Sequence, residues 1–305
     1  MRLIRRKIVC MGLAVLLCIS GFSSAGALSG DRISTSLLES ADGFLDASFH
    51  EDAAEGNSKV KIDLSASHLG YVAVSAKSKK RMKFQVIHNK TTYTYDIQSD
   101  GTPSIFPLQC GDGEYTFRAM ENTGGSKYAN ALSMSHKVKL DDPFQPFLRP
   151  SDYSNYSPDS RCVRKAAELT EGAANDEEVV MAIYDFIGNS IRYDYVKAGT
   201  VQSGYLPDPD ETLRTRKGIC FDYAALAAAM LRSKGVPCKL VFGYVGKGKL
   251  YHAWNMFYTE ETGWVTVGFK VSSRDWTRID LTFIANGQNE SFIGDGSNYA
   301  DLYYY

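Results

Sequence analysis

Residues 217–238 read KGICFDYAALAAAMLRSKGVPC. From Ala224 to Leu231 this stretch is apolar on every side, which marks a helix buried all round rather than one lying on a surface. Gly235 supplies a C-terminal cap, and Pro237 stops any continuation. Such a helix needs other elements around it. After it, Lys239–Val245, His252–Tyr258, Trp264–Gly268 and Arg278–Ile284 read as strands. Before it, Asp159–Ala174 reads as a helix. A second helix starts at Asn175 as N-cap, with Glu178 three residues on and an apolar face of Val179, Val180, Ile183, Phe186 and Ile187. Ile191–Tyr193 reads as a short strand. Helices followed by a run of strands give an α+β layout for residues 159–305.

Further toward the N-terminus the pattern changes. Residues 143–158 hold four prolines, Pro143, Pro146, Pro150 and Pro158, and read as a linker. Residues 58–142 alternate apolar and polar positions in short runs: Val60 to Leu64, Tyr71 to Ser75, Met82 to His88, Tyr93 to Ile97, Tyr115 to Ala119 and Met134 to Val138. Period-two strands spaced about ten residues apart predict a small antiparallel β-sandwich, an accessory or binding module. Residues 28–57 are polar and read as a second linker, with a short helix around Leu37 to Phe44.

The first 27 residues have the layout of an export signal. Arg2, Arg5, Arg6 and Lys7 form a basic start, Ile8–Phe22 is uncharged and apolar, and Ala25-Gly26-Ala27 offers a cleavage site. The apolar run is short for a membrane span, which needs about 20 residues. A secreted or cell-envelope protein with no span after cleavage is the expectation. Losing residues 1–27 removes four basic residues and no acidic one, so the net charge moves from −1 to −5. A mildly acidic chain with no basic block gives no reason to expect a nucleic-acid partner. Four cysteines remain: Cys110, Cys162, Cys220 and Cys238. None has C-x-x-C spacing, so no zinc site is expected, and no metal or organic cofactor is called for. A Cys110–Cys162 disulfide stays open at this stage.

Cys220 stands at the mouth of the buried helix. Free N–H groups and the helix dipole favour a thiolate there, so a lowered thiol pKa is the expectation. Gly218 lets backbone approach the reacting group closely. A thiol nucleophile needs a base, and His252 is the only histidine in the second half of the chain; the others are His50, His68, His88 and His136. The base needs an orienting acid. Of Asp275 and Asp280, only Asp280 sits within a strand pattern, where an Asp needs a partner. A disulfide-exchange role for Cys220 and Cys238 is discounted, because a helix of about 14 residues would hold them about 20 Å apart.

Four segments in order carry a resemblance: Gly218–Ala224, Leu231–Cys238, His252-Ala253-Trp254-Asn255 and Asp280-Leu281-Thr282-Phe283. Together with Ile191–Asp194 they resemble the transglutaminase-like superfamily of papain-type cysteine enzymes over residues 160–285. The resemblance implies an acyl-transfer site with Cys220 as nucleophile, His252 as acid and base, and Asp280 as orienter. It also implies an oxyanion hole, with the Cys220 N–H as one donor and Tyr193 or Tyr205 as candidate side chains. The separation of His252 from Asp280 is longer than the family's usual hairpin, and Gly268 to Thr277 reads as an insertion. The expected substrate is a peptide or protein amide, processed through a thioester by a peptidase, an amidase or a transamidase. The rival expectation is an inactive transglutaminase-like scaffold whose sandwich binds a cell-surface or matrix ligand.

Overall fold

The computed structural model describes residues 44–245, 250–260, 263–267 and 299–305. The expected signal segment, the expected strand over 278–284 and Asp280 lie outside them.

The N-terminal part is a sandwich of two antiparallel sheets. Strands β1 (Glu55–Gly56), β2 (Val60–Asp63), β3 (Tyr71–Ala76) and β6 (Ser104–Pro107) form one, in the order β1-β2-β3-β6. Strands β4 (Met82–His88), β5 (Thr91–Ile97), β7 (Gly113–Gly124) and β8 (Lys127–Val138) form the other, in the order β5-β4-β7-β8. Alternation explains the packing. On β4, Met82, Phe84 and Val86 point inward and are buried, while Lys83 and Gln85 are less so. Phe84 then packs on Phe106 of the facing sheet at 5.4 Å between ring centroids. Strand β6 escapes a period-two reading because it has four residues and ends at Pro107.

The C-terminal part places helices on a four-stranded antiparallel sheet. Helices α1 (Arg161–Leu169), α2 (Asp176–Ser190) and α4 (Pro209–Thr215) surround α5 (Cys220–Arg232). The free side of α5 lies on β11 (Cys238–Val245) and β12 (Leu250–Thr259). With β13 (Gly263–Val267) and β14 (Tyr299–Tyr304) these make a sheet in the order β13-β12-β11-β14. The terminal aromatic run therefore pairs as a strand against β11. A two-residue parallel pair, β9 (Arg192–Tyr193) with β10 (Lys217–Gly218), and a short helix α3 (Tyr195–Thr200) complete the approach to α5. Asn175 caps α2 as expected, accepting the Glu178 N–H at 2.9 Å. Helix α1 stops at Leu169, short of the expected Ala174, and Thr170 caps its end.

The proline-rich stretch and the described residues from Phe44 onward are packed against the rest of the protein. Gln145 to Ser151 is buried, because its Phe147 and Leu148 fill space that a solvated linker would leave open. Phe44 packs edge-on against Tyr156 at 5.5 Å, and the Asp46 carbonyl accepts from the buried Arg149 guanidinium. One apolar cluster runs from Val72, Phe84 and Phe117 of the sandwich to Ala224, Ala225, Leu240 and Ala253 of the helix and sheet. Sandwich and α+β part thus share a core.

Arg232, at the far end of α5, is 2 % exposed. It donates to the Cys238 carbonyl at 2.9 Å, the Arg149 carbonyl at 2.9 Å and the Tyr305 main-chain oxygen at 2.8 Å. One planar group thereby ties α5 to β11, the proline-rich segment and the chain end after β14. Removing it takes a donor from three buried carbonyl oxygens, of which that of Tyr305 keeps the Leu240 N–H at 2.7 Å, and a buried acceptor left unpaired costs about 1–3 kcal/mol. Arg232→Ala is expected to lower the unfolding free energy by about 3 kcal/mol or more, read from urea denaturation. Arg232→Lys should recover only part of the loss, since an ammonium cannot span three diverging carbonyls.

Candidate active site

Cys220 begins the first turn of α5, directly after the N-cap Ile219. Isoleucine has no side-chain acceptor, so the turn is capped from the other direction. Asp222, fully buried, accepts the Ile219 N–H at 2.8 Å. The same carboxylate takes an ion pair from Lys197 at 2.7 Å and a hydrogen bond from the Tyr205 hydroxyl at 2.5 Å. Lys197 also donates to Tyr205. This triangle pins α3 and the chain after it to the turn that carries the thiol. It explains Gly218 better than close approach of a ligand does: a Cβ there would sit 2.6 Å from the Asp222 Cβ.

Cys220 is half-buried as a residue, its thiol is desolvated, and the backbone N–H groups of Ala253, Phe221 and Cys220 itself point at the sulfur. The Ala253 contact comes from across the interface, from β12. That strand shows its two faces clearly. Ala253 and Asn255 lie toward α5, and the Asn255 amide donates to the Ala224 carbonyl at 3.0 Å. His252 and Trp254 share the other face, with ring centroids 6.4 Å apart and planes within 20°. Among the described residues, β13 pairs with β12 only as far as Asn255. The Ala253 N–H thus meets the sulfur beside the strand edge that His252 adjoins. His252 is buried, opposite Gly243 of β11, where a Cβ would meet Trp254 at 2.7 Å.

The electrostatics reverse one expectation. Burial pushes the Cys220 thiol up to about 11; the three N–H groups oppose this, and the Asp222 charge adds to it. Desolvation of the sulfur outweighs the pull of the helix start. Burial likewise pushes the His252 imidazole down to about 4. Thiol and imidazole both rest neutral, the thiol on the α5 side of β12 and the imidazole on the strand's other face.

Tyr193, at the end of β9, is half-buried, and burial followed by the Cys220 thiolate raises its phenol well above the ordinary value. Its phenol therefore stays protonated near the sulfur. Tyr205 is raised by burial and by Asp222, and its proton is committed to that carboxylate. Asp280 lies outside the described residues. Sequence reasoning missed three participants: Asp222, Lys197 and Asn255. Asp222 carried a legible signal, an acid three residues after an N-cap. Lys197 carried none, because α3 is only six residues long. The disulfide left open above is absent: Cys110, Cys162, Cys220 and Cys238 are all free thiols.

Comparison with known proteins agrees with this layout. The family profile described as "Transglutaminase-like superfamily" matches residues 163–269. The kyphoscoliosis peptidase of Mus musculus is 36% identical over 132 residues, which is 39% of this chain and 20% of that protein. The protein-glutamine gamma-glutamyltransferase of Pseudomonas aeruginosa is 28% identical over 151 residues, 45% of this chain and 21% of that protein. The matched region is thus about a fifth of the length of these curated relatives. A crystal structure of the periplasmic domain of TgpA from Pseudomonas aeruginosa aligns with 17% identity and a TM-score of 0.34, covering 71% of each chain. Residues 163–269, which include Cys220 at the start of a buried helix and His252 on the adjoining strand, match the model of the transglutaminase-like superfamily.

Proposed function

We propose that the protein is an exported cysteine enzyme that transfers acyl groups from peptide or protein amides through a thioester on Cys220. The observation that carries the reading is the Ala253 N–H directed at the Cys220 sulfur, which seats the nucleophile beside the residue next to His252. The names of the relatives, a peptidase and a gamma-glutamyltransferase, both fit transfer from an amide. The basic start and apolar run of residues 2–22 support export. Among the described residues no helix is long and apolar enough to cross a membrane.

The proposed steps follow from the neutral resting pair. His252 takes the thiol proton as the sulfur attacks the carbonyl carbon, forming a C–S bond and an oxyanion. Backbone N–H groups near the sulfur, with the protonated Tyr193 phenol, are the donors proposed for that oxyanion. The C–N bond then breaks, and His252 returns its proton to the leaving amine. Water or a second amine, deprotonated by His252, attacks the thioester. The C–S bond breaks and the thiolate regains its proton. Asp280 is proposed as the acid that orients His252 and supports its cationic form.

Three outcomes test this. Incubation with a peptide amide, followed by mass spectrometry, should trap an acyl adduct on Cys220 and yield the free acid; an added primary amine reports any transamidation. Cys220→Ala should abolish turnover, and His252→Ala should reduce it by about a hundredfold or more. No adduct and no turnover from a folded wild-type protein would sink the enzyme reading in favour of a scaffold whose sandwich binds a surface ligand.

The resting charge state has its own readout. Alkylation of Cys220 by iodoacetamide should rise roughly tenfold per pH unit between about pH 7 and 9, since the thiolate fraction climbs toward a value near 11. A rate that stays flat from about pH 5 to 8 would instead mean a preformed thiolate–imidazolium pair.

His252 also links stability to pH. Its ordinary value is 6.5 and its folded value about 4, so the unfolded chain binds the proton first as pH falls. The stability it contributes is complete above 6.5 and drains away by about 3 kcal/mol as pH falls toward 4. Urea denaturation of His252→Gln across that window should show a correspondingly shallower loss. Identical slopes in both proteins would show that the imidazole does not carry it.

A further inference from the structure

Four rings lie on the α5 side of the C-terminal sheet and run outward from the nucleophile: Phe242 and Tyr244 of β11, Tyr251 of β12 and Tyr303 of β14. Register places them together. Tyr244 is opposite Tyr251, and Phe242 is opposite Tyr303. Phe242 stacks on Tyr251 at 5.8 Å with planes within 17°, and Tyr244 meets Tyr251 edge-on at 5.7 Å. At the inner end Phe242 packs against Phe221, the residue after Cys220, at 4.8 Å. Burial raises the Tyr251 phenol, and Tyr303, Tyr244 and the nearby Cys220 sulfur add to it. Yet Tyr251 is 52 % exposed, Tyr244 38 % and Tyr303 36 %. These are three of the large apolar side chains that a folded protein would ordinarily cover.

On the basis of the acyl-transfer reading above, we propose that this ring face is the subsite that selects the substrate, an extended polypeptide with a bulky aromatic or aliphatic residue beside the amide attacked by Cys220. Continuity with the nucleophile argues for a substrate rather than an unrelated partner. A peptide whose carbonyl carbon reaches the sulfur would bring its neighbouring residues within reach of Phe242 and Tyr251. Charge argues for the class. On this face β11, β12 and β14 present Leu240, Phe242, Tyr244, Tyr251, Ala253, Asn255, Tyr303 and Tyr305, with no formal charge among these described residues. An acidic or basic neighbour would lose hydration there and gain no counterion. Rigidity argues for selection. Phe242 is held from below by Tyr153 and Tyr305, so the exposed rings stand on a fixed base and lose little freedom on binding.

The test uses the full chain carrying Cys220→Ala, so that binding is read without chemistry. Blocked tetrapeptide amides differing only in one residue beside the central amide (Phe, Leu, Gly, Glu or Lys) are titrated by calorimetry. The Phe and Leu peptides should bind about tenfold more tightly than the Gly peptide, and the Glu and Lys peptides no better than Gly. Adding Tyr251→Ser, or separately Tyr244→Ser, should bring Phe and Gly within about twofold of each other. Unchanged near-ultraviolet circular dichroism would show the exposed substitutions to be folded. Equal affinity for all five peptides, a preference for a charged one, or Tyr251-dependent binding of a neutral oligosaccharide in place of peptide overturns the proposal. Acyl transfer itself is judged separately by the adduct on wild-type Cys220, so selective binding without an adduct would retain the subsite and remove the enzyme.

Discussion

The contact of α5 with β12 is the constraint on which the site depends. The helix lies close to the strand because small residues face each other: Ala224 and Ala225 on α5, Ala253 on β12. Asn255 sets the position along the helix by donating to the Ala224 carbonyl. A larger residue at Ala224 or Ala253 would push the helix away and cost about 1–3 kcal/mol in overpacking. It would also move the Ala253 N–H off the Cys220 sulfur. Packing and chemistry therefore rest on the same few side chains. Two outer ties hold the helix at its ends: Asp222 gathers Ile219, Lys197 and Tyr205 at the start, and Arg232 gathers three carbonyls at the finish.

Much of this was legible in the amino-acid sequence because the patterns were local. The all-round apolar run of Ala224 to Leu231 identified a buried helix, and α5 is buried from Asp222 to Arg232. Period-two alternation found β2 to β5 and parts of β7 and β8. Asn175 announced its own helix. The unread parts depend on contacts distant in sequence. Strand β6 has too few residues to show a period. The stretch from Pro143 to Pro158 looked like a linker because proline breaks regular structure, but proline says nothing about burial, and Phe147 and Leu148 decide that. The bond from Lys197 to Asp222 spans 25 positions and follows no helix or strand spacing.

The thiol pKa was misjudged for a related reason. A helix start favours a thiolate, and that much can be read from Cys220 preceding an apolar run. How deeply the sulfur is desolvated depends on Phe221, Phe242 and Ala253 closing around it, and two of those come from other elements. Burial won, and it moved sulfur and imidazole in opposite directions. On the proposed chemistry, such a site would hold its nucleophile as a neutral thiol and generate charge only as the carbonyl is attacked.

That neutrality has a consequence for a free thiol. Oxidation and disulfide exchange proceed through the thiolate, so a thiol with a raised pKa reacts slowly by either route. Burial raises all four free cysteines, Cys110, Cys162, Cys220 and Cys238. Three of them have no proposed chemistry, and Cys162 and Cys238 are wholly enclosed. Cys110 and Cys220 are half-buried, and of the two only Cys220 stands at a helix start with the Ala253 N–H directed at its sulfur. On the proposed chemistry, reactivity there would be confined to the moment when a carbonyl is beside the sulfur and His252 can accept the proton, and the same packing would protect the thiol between turnovers.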